Sequence, residues 1–215
     1  LNFLAVGETI TLTYDITVDD GNGLPATQSP LTVTITGTND QPVITAQIPD
    51  FDVIEAAGNG LTTVNQTGSL GFSDLDINDT LTVAESFTGA TWSGGQLTPE
   101  QSNALDLFTI NPGNGDWAFN GDLDLNFLAV GETITLTYDI TVNDGNGLPA
   151  TQSPLTVTIT GTNDQPVIDV GALADLGSTD EDTPIPILEA DLLQGISDPD
   201  TNDQLSVVNG SVSAT

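Results

Sequence analysis

Residues 131–168 read GETITLTYDITVNDGNGLPATQSPLTVTITGTNDQPVI. Ile134, Leu136, Tyr138, Ile140 and Val142 alternate with Thr and Asp. Leu155, Val157 and Ile159 alternate with Thr156, Thr158 and Thr160. A period of two built from β-branched residues predicts half-buried strands. Asp144-Gly145-Asn146-Gly147 between them is a turn signal, so the stretch reads as a β-hairpin. Upstream, Leu70 with Phe72 and Leu81 with Val83 mark further strands. Asn111-Pro112-Gly113-Asn114-Gly115 is a turn leading to Trp117 and Phe119. Trp92, Trp117, Phe108 and Tyr138 are expected to anchor the core. One short helix is expected from Thr98 to about Leu105. Thr98 is its cap, Pro99 takes the first helical position, and Gln101 stands three after the cap.

The hairpin occurs twice. Residues 1–44 recur as 125–168, and over these 44 positions only Asp19 against Asn143 differs. The same spacing of 124 relates Asp74-Leu75-Asp76-Ile77-Asn78-Asp79 to Asp198-Pro199-Asp200-Thr201-Asn202-Asp203. One period therefore organises the chain: the back third of a repeat (1–44), a full repeat (45–168) and the front of another (169–215). That period is too long for a helical solenoid unit and fits a sandwich domain of about 100 residues with insertions. Leu1 begins in mid-pattern, and the chain reads as an excerpt of a longer protein. The expected fold is an all-β sandwich with one short helix per repeat.

Composition limits the chemistry. The 215 residues hold 31 Asp and Glu but no Lys, Arg, His or Cys, for a formal charge of -31. An imidazole base, a Schiff-base amine and a thiolate are all absent. Zinc sites usually need His or Cys. What remains is carboxylate chemistry and oxygen-ligated hard cations. No side chain can form a salt bridge, so the carboxylates repel one another and strain a compact state. Nucleic acid and anionic membrane surfaces are poor partners, because phosphate binding needs Lys or Arg, and no nucleic acid or direct membrane insertion is expected. No apolar run approaches the roughly 20 residues of a membrane span. Hydrophobic residues make up 37% of the chain, which is too apolar for a disordered polyanion. Without disulfides, metal is the usual staple for a secreted protein.

Three acidic groupings recur. Asp74-x-Asp76-x-Asn78-Asp79 and its copy at Asp198 and Asp200 place alternating oxygen donors on a tight loop, which suits the 6–8 oxygen ligands of calcium. The spacing opens like an EF-hand loop, with Glu85 at its twelfth position. However, Asp79 replaces the required Gly and the flanks read as strands, so an EF-hand is rejected. Thr38-Asn39-Asp40-Gln41-Pro42 and Thr162-Asn163-Asp164-Gln165-Pro166 follow the last strand of each repeat, and Pro stiffens the exit. Their plain reading is a linker; a functional one would clamp two domains through an ion. Glu55, and Asp180-Glu181-Asp182, form an acidic entrance to each domain.

Ile16-Thr17-Val18-Asp19-Asp20-Gly21-Asn22-Gly23 followed by Leu31 to Val43, with its copy at 140–167, resembles the end of a VCBS repeat or bacterial cadherin-like domain. Glu181-Asp182-Thr183-Pro184 through Ser197-Asp198-Pro199-Asp200 looks like the start of another. The resemblance implies tandem Ig-like or cadherin-like Greek-key sandwiches in large RTX-type bacterial surface adhesins, exported to the cell surface, with calcium rigidifying the domain junctions. It implies Asn39 and Asp40 as linker ligands with Asp74, Asp76 and Asp144. It implies Asn163 and Asp164 with Asp198 and Asp200, joined by Glu55 and Asp124 from below. A cadherin-type Leu-Asp-Arg-Glu motif is ruled out by the lack of Arg, and Leu123-Asp124 matches it only in part. The Gly-rich nonapeptides of RTX tails are absent.

The expected function is structural: a calcium-stiffened extender or extracellular fibre, whose partners are neighbouring repeats or other copies joined head to tail. The alternative is an adhesin module that binds glycan or protein, with Trp92 exposed near an ion site as its mark. A hydrolase built on paired carboxylates is the weakest reading, since the acids fall in turns and linkers.

Overall fold

The computed structural model describes residues 1–23, 27–147 and 151–211. The central hairpin forms as the alternation predicts: β10 (Thr133–Asn143) pairs antiparallel with β11 (Thr151–Thr160). Gly145 and Gly147 take φ near 80°, the left-handed conformation the turn requires. β10 also pairs with β7 (Thr82–Trp92), and β11 pairs in parallel with β4 (Phe51–Ile54), giving the sheet β4-β11-β10-β7. Pro154 is tolerated within β11 because β4 covers only Val157–Thr160 and leaves the strand's other half an edge. There Asp50 substitutes for a strand, accepting from the Thr156 backbone N–H at 2.7 Å.

A second sheet, β5-β9-β8, comprises β5 (Thr62–Ser69), β9 (Asp116–Leu123) and β8 (Phe108–Ile110). β3 (Val43–Ala46) pairs with β6 (Gly71–Ser73), just past a break at buried Leu70. The chain passes between the two main sheets from β4 to β5, from β5 by way of β6 to β7, from β7 to β8 and from β9 to β10. This makes an Ig-like Greek-key sandwich. The inner faces meet through aromatic rings: Phe51 of β4 stacks on Trp117 of β9 at 5.7 Å, and Phe108 of β8 lies 5.1 Å from Tyr138 of β10. Trp117 reaches this place by lying across Gly68, its cross-strand partner, where a Cβ would stand 2.7 Å from the indole. The expected anchors Phe108, Trp117 and Tyr138 are buried, whereas Trp92, at the end of β7, is only half-buried.

The expected helix is α1 (Pro99–Ala104), with a complete Thr98/Gln101 capping box. A second, α2 (Glu189–Leu192), lies at a place the repeat equates with strand β5, so it does not repeat α1.

The copies differ in what covers them. β1 (Thr9–Val18) and β2 (Thr27–Thr36) pair in the register of β10 and β11, from Thr9 opposite Thr36 onward. Yet among the described residues no second sheet covers them. Tyr14 is 50% exposed and Leu31 50%, against 0% and 1% for Tyr138 and Leu155. β12 (Val167–Ile168) and β13 (Ile196–Ser197) likewise repeat the β3–β6 pairing, Val167 opposite Ser197 as Val43 is opposite Ser73.

Identical residues in different burial should respond differently. Leu136→Ala, in the sandwich, is expected to cost about 2–5 kcal/mol. Leu12→Ala, its counterpart, should change stability by no more than about 0.5 kcal/mol. Denaturant unfolding followed by Trp92 and Trp117 fluorescence compares them; equal losses would show that the first hairpin is covered in solution.

Candidate metal centres

β10 is flanked by acid at both ends. Glu132 precedes it and Asp144 follows it. Its 11 residues separate two acidic clusters by roughly 35 Å at about 3.4 Å per residue.

At one end, three segments converge: the linker at Asn39 and Asp40, the β6–β7 loop and the β10–β11 turn. The Asn39 side-chain amide donates to Asp144 Oδ2 at 2.8 Å. The Asp40 backbone N–H donates to Asp76 Oδ2 at 2.7 Å. The loop holds its shape through an Asx turn, the Asp76 N–H donating to Asp74 Oδ1 at 2.9 Å. Carboxylate oxygens of Asp74, Asp79 and Asp144 all lie within 4.8 Å of one another, a group that could hold a metal ion. Asp79 belongs to the acidic grouping read from the sequence but not to the ligand set the resemblance implies; the structure brings it to Asp74 and Asp144.

The other end repeats the pattern with residues from below added. The Asp164 N–H donates to Asp200 Oδ2 at 3.0 Å, and the Asp200 N–H to Asp198 Oδ1 at 3.1 Å. The Asn163 side chain donates to the Asp164 carbonyl. Glu55, one residue past β4, accepts from the Thr162 N–H at 2.8 Å. Asn59 grips the Gln165 backbone at both N–H and C=O, each at 2.9 Å. Asp124 is close enough to raise the pKa of both Glu55 and Asp164. Glu181 is different: it is exposed in the 180–183 turn and, among the described residues, shares no hydrogen bond with either cluster.

These acids are buried. Asp76, Asp164 and Asp200 are 1–2% exposed, and Glu55 and Asp144 are buried too. Several oxygens have no hydrogen-bond partner: Asn39 Oδ1, Asp74 Oδ2 and Asp76 Oδ1 in the first cluster; Glu55 Oε1, both Asp164 carboxylate oxygens and Asp200 Oδ1 in the second. An orphaned buried carboxylate oxygen costs more than an orphaned neutral group. No side-chain cation exists in the sequence to answer it. Burial, opposed in part by the Thr162 hydrogen bond and reinforced by neighbouring acids, pushes Glu55 up to about 7. Burial and acidic neighbours also raise Asp164 and Asp200. The residues fit a hard cation: every unsatisfied donor is an oxygen, and the deficit is of positive charge.

Two glutamates that sequence reasoning passed over sit beside the clusters. Glu8 accepts from the Asn78 side chain at 2.7 Å, and Glu132 from that of Asn202 at 2.6 Å. Their signal was the identity of the two copies, which hides any one residue among many. Trp92 donates its indole N–H to Glu132 and meets Phe127 edge-on at 5.2 Å.

No protein-family model matches the chain, and no curated protein does. Among solved structures, human mucin-like protocadherin EC1-2 aligns with 17% identity, covering 72% of this chain and 69% of that one, at a TM-score of 0.40. Drosophila N-cadherin EC1-4 aligns at 12% identity, 74% of this chain against 34% of that one, TM-score 0.32. CfaE, the adhesive subunit of the CFA/I fimbria of enterotoxigenic Escherichia coli, aligns at 12% identity, 77% against 60%, TM-score 0.40. The chain thus spans a third of the Drosophila structure's length. Among the described residues no helix is long and apolar enough to cross a membrane.

The raised acids set a pH dependence. Between 4.5, its ordinary value, and about 7, folded Glu55 retains a proton that the unfolded chain releases. Folding stability therefore falls as pH rises through that window, and the deficit is complete above it. In chelator, the melting temperature should drop from acid to neutral pH, and Glu55→Gln should flatten the drop. A flat parent profile would contradict the burial of these groups.

Proposed function

We propose that the chain is a tandem structural module of a large extracellular protein, in which calcium at the junctions stiffens successive sandwiches into an extender or fibre. In this reading residues 1–44, 45–168 and 169–215 belong to three successive repeats of VCBS or bacterial cadherin-like type, carried on a bacterial surface. It does no catalysis.

The observation that carries the reading is the set of buried, unpartnered carboxylate oxygens at both ends of the sandwich, in a chain with no cationic side chain. Asn39, Asp40, Asp74, Asp76, Asp79 and Asp144 would hold calcium at one junction. Glu55, Asp124, Asn163, Asp164, Asp198 and Asp200 would hold it at the other, and Glu181 is left as an outlying acid. Calcium, when bound, supplies the missing positive charge. The protein's own part is to bring linker and loops together, through Asp40 on Asp76 and Asp164 on Asp200, so that the donors converge. Calcium suits this better than magnesium, because a protein-only oxygen cage needs a flexible, high coordination number. The uncovered apolar face of β1 and β2 fits the same reading. In the second copy, residues 48–123 cover that face, so the front of another repeat, from this chain or another copy, would close it.

Thermal unfolding in calcium and in chelator, at equal ionic strength, tests this. Ion binding at a thousandfold excess over its dissociation constant contributes about 4 kcal/mol. Calcium should raise the melting temperature well beyond magnesium. Asp200→Asn and Asp76→Asn should each remove part of the rise. Equal melting with and without calcium would reject the proposal. The glycan- or protein-binding alternative retains a feature: Trp92 borders a recess of about 400 Å³ with Gln96 and Leu97. A glycan array addresses it.

A further inference from the structure

A tandem junction held only at its linker can still twist about that linker. The linker at 162–165 is anchored to the sandwich by Glu55 and Asn59, and to the following segment by Asp200. All three lie along one path of backbone. A second attachment, off that path, would fix the rotation.

We propose that Glu132 and Asn202 are such an attachment: a cation-independent clasp that sets the orientation of one repeat on the next, with Glu8 and Asn78 as its copy at the preceding junction. This rests on the tandem-repeat reading above but not on calcium. Glu132 stands just before β10, and its carboxylate is filled by N–H donors. Oε1 accepts from the Asn202 amide at 2.6 Å; Oε2 accepts from the Trp92 indole at 3.0 Å and the Ala129 N–H at 3.2 Å. The same Asn202 amide donates to the Gly94 carbonyl at 3.0 Å. Beside it, the Thr201 N–H donates to the Phe127 carbonyl at 3.2 Å. Charge-assisted bonds of this kind are about twice as strong as neutral ones.

Three features separate the clasp from the ion clusters. First, both Glu132 oxygens are satisfied, while Glu55, Asp164 and Asp200 keep orphaned ones. Second, the surroundings are shaped for the carboxylate. A Cβ on Gly94 would collide with Glu132, so glycine is the residue that lets it seat, and the Trp92–Phe127 pair props its far side. Third, the arrangement recurs at the repeat spacing. Glu8 accepts from the Asn78 amide on Oε1 at 2.7 Å and from the Ala5 N–H on Oε2 at 2.9 Å. In both copies the glutamate belongs to one repeat and the asparagine to the next, 70 residues later. The loop that carries the calcium-directed acids, Asp74–Asp79 or Asp198–Asp203, thus also carries the clasp asparagine. The clasp positions that loop before any cation arrives, and Glu132 and Asn202 are positioning residues for the junction.

The sequence holds no cysteine, so single spin labels can be placed freely. Asn103→Cys on α1 and Ala190→Cys on α2, both exposed, report the distance across the junction in the whole chain. In chelator, Asn202→Ala is expected to widen the distance distribution about twofold, as is Glu132→Ala, with the double variant no wider than either, because partners of one hydrogen bond are not additive. Asn202 is exposed and its hydrogen bonds go to Glu132 and Gly94, outside the core cluster, so the far-UV circular dichroism of the sandwich should be unmoved. An unchanged width in Asn202→Ala, or additive widening in the double variant, overturns the clasp. Calcium added to the parent reads the ion proposal separately, since its failure would leave the chelator comparison intact.

Discussion

Unanswered negative charge governs this molecule. A chain with 31 carboxylates and no cationic side chain has no internal means of neutralising the acids it buries. Most of them avoid the problem by lying in solvent, on turns and on the outward faces of strands. Those at the two ends of the central sandwich do not. Asp76, Asp164, Asp200 and Glu55 are enclosed, some with oxygens facing no donor, and Glu55 retains its proton to an unusually high pH as a result. Such sites persist only where something else compensates for their cost.

The sandwich makes this arrangement available. Its core is closed mainly by interleaved aromatic and aliphatic side chains, and the clustered acids stand outside it. Strand ends then become free positions. β10 spans the body from one cluster to the other, so the strand that supplies Leu136 and Tyr138 to the core also fixes where Glu132 and Asp144 stand. Stability and junction chemistry occupy the same strand without competing, because alternate residues serve the core and terminal residues serve the ends.

Backbone amides do the rest of the assembly. Asp40 and Asp164 donate through their main chain to Asp76 and Asp200, so each linker is tied to the loop that follows it whatever the charge on its own side chain. Asn78 and Asn202 add neutral donors aimed at the glutamates of the preceding repeat. Amides are the natural donors in a protein that has discarded ammonium and guanidinium groups.

The strands, the hairpin turn, the capped helix and the repeat spacing were legible in the sequence, because each depends on local periodicity or on a few neighbouring residues. Alternation needs no partner to be seen, and the Thr98-Pro99-Glu100-Gln101 cap closes on itself. The acidic motifs were also visible, as types of residue at recurring places. Which acids meet was decided only in three dimensions. Asp79 joined its cluster, Glu181 stood apart, and the Glu132–Asn202 contact spans 70 residues. The clearest case is the repeat itself. Tyr14 and Tyr138 share almost identical sequence surroundings, yet one is half exposed and the other wholly buried. A strand's pattern states which face should be covered; only the packing of a second sheet, supplied by distant chain, decides whether it is.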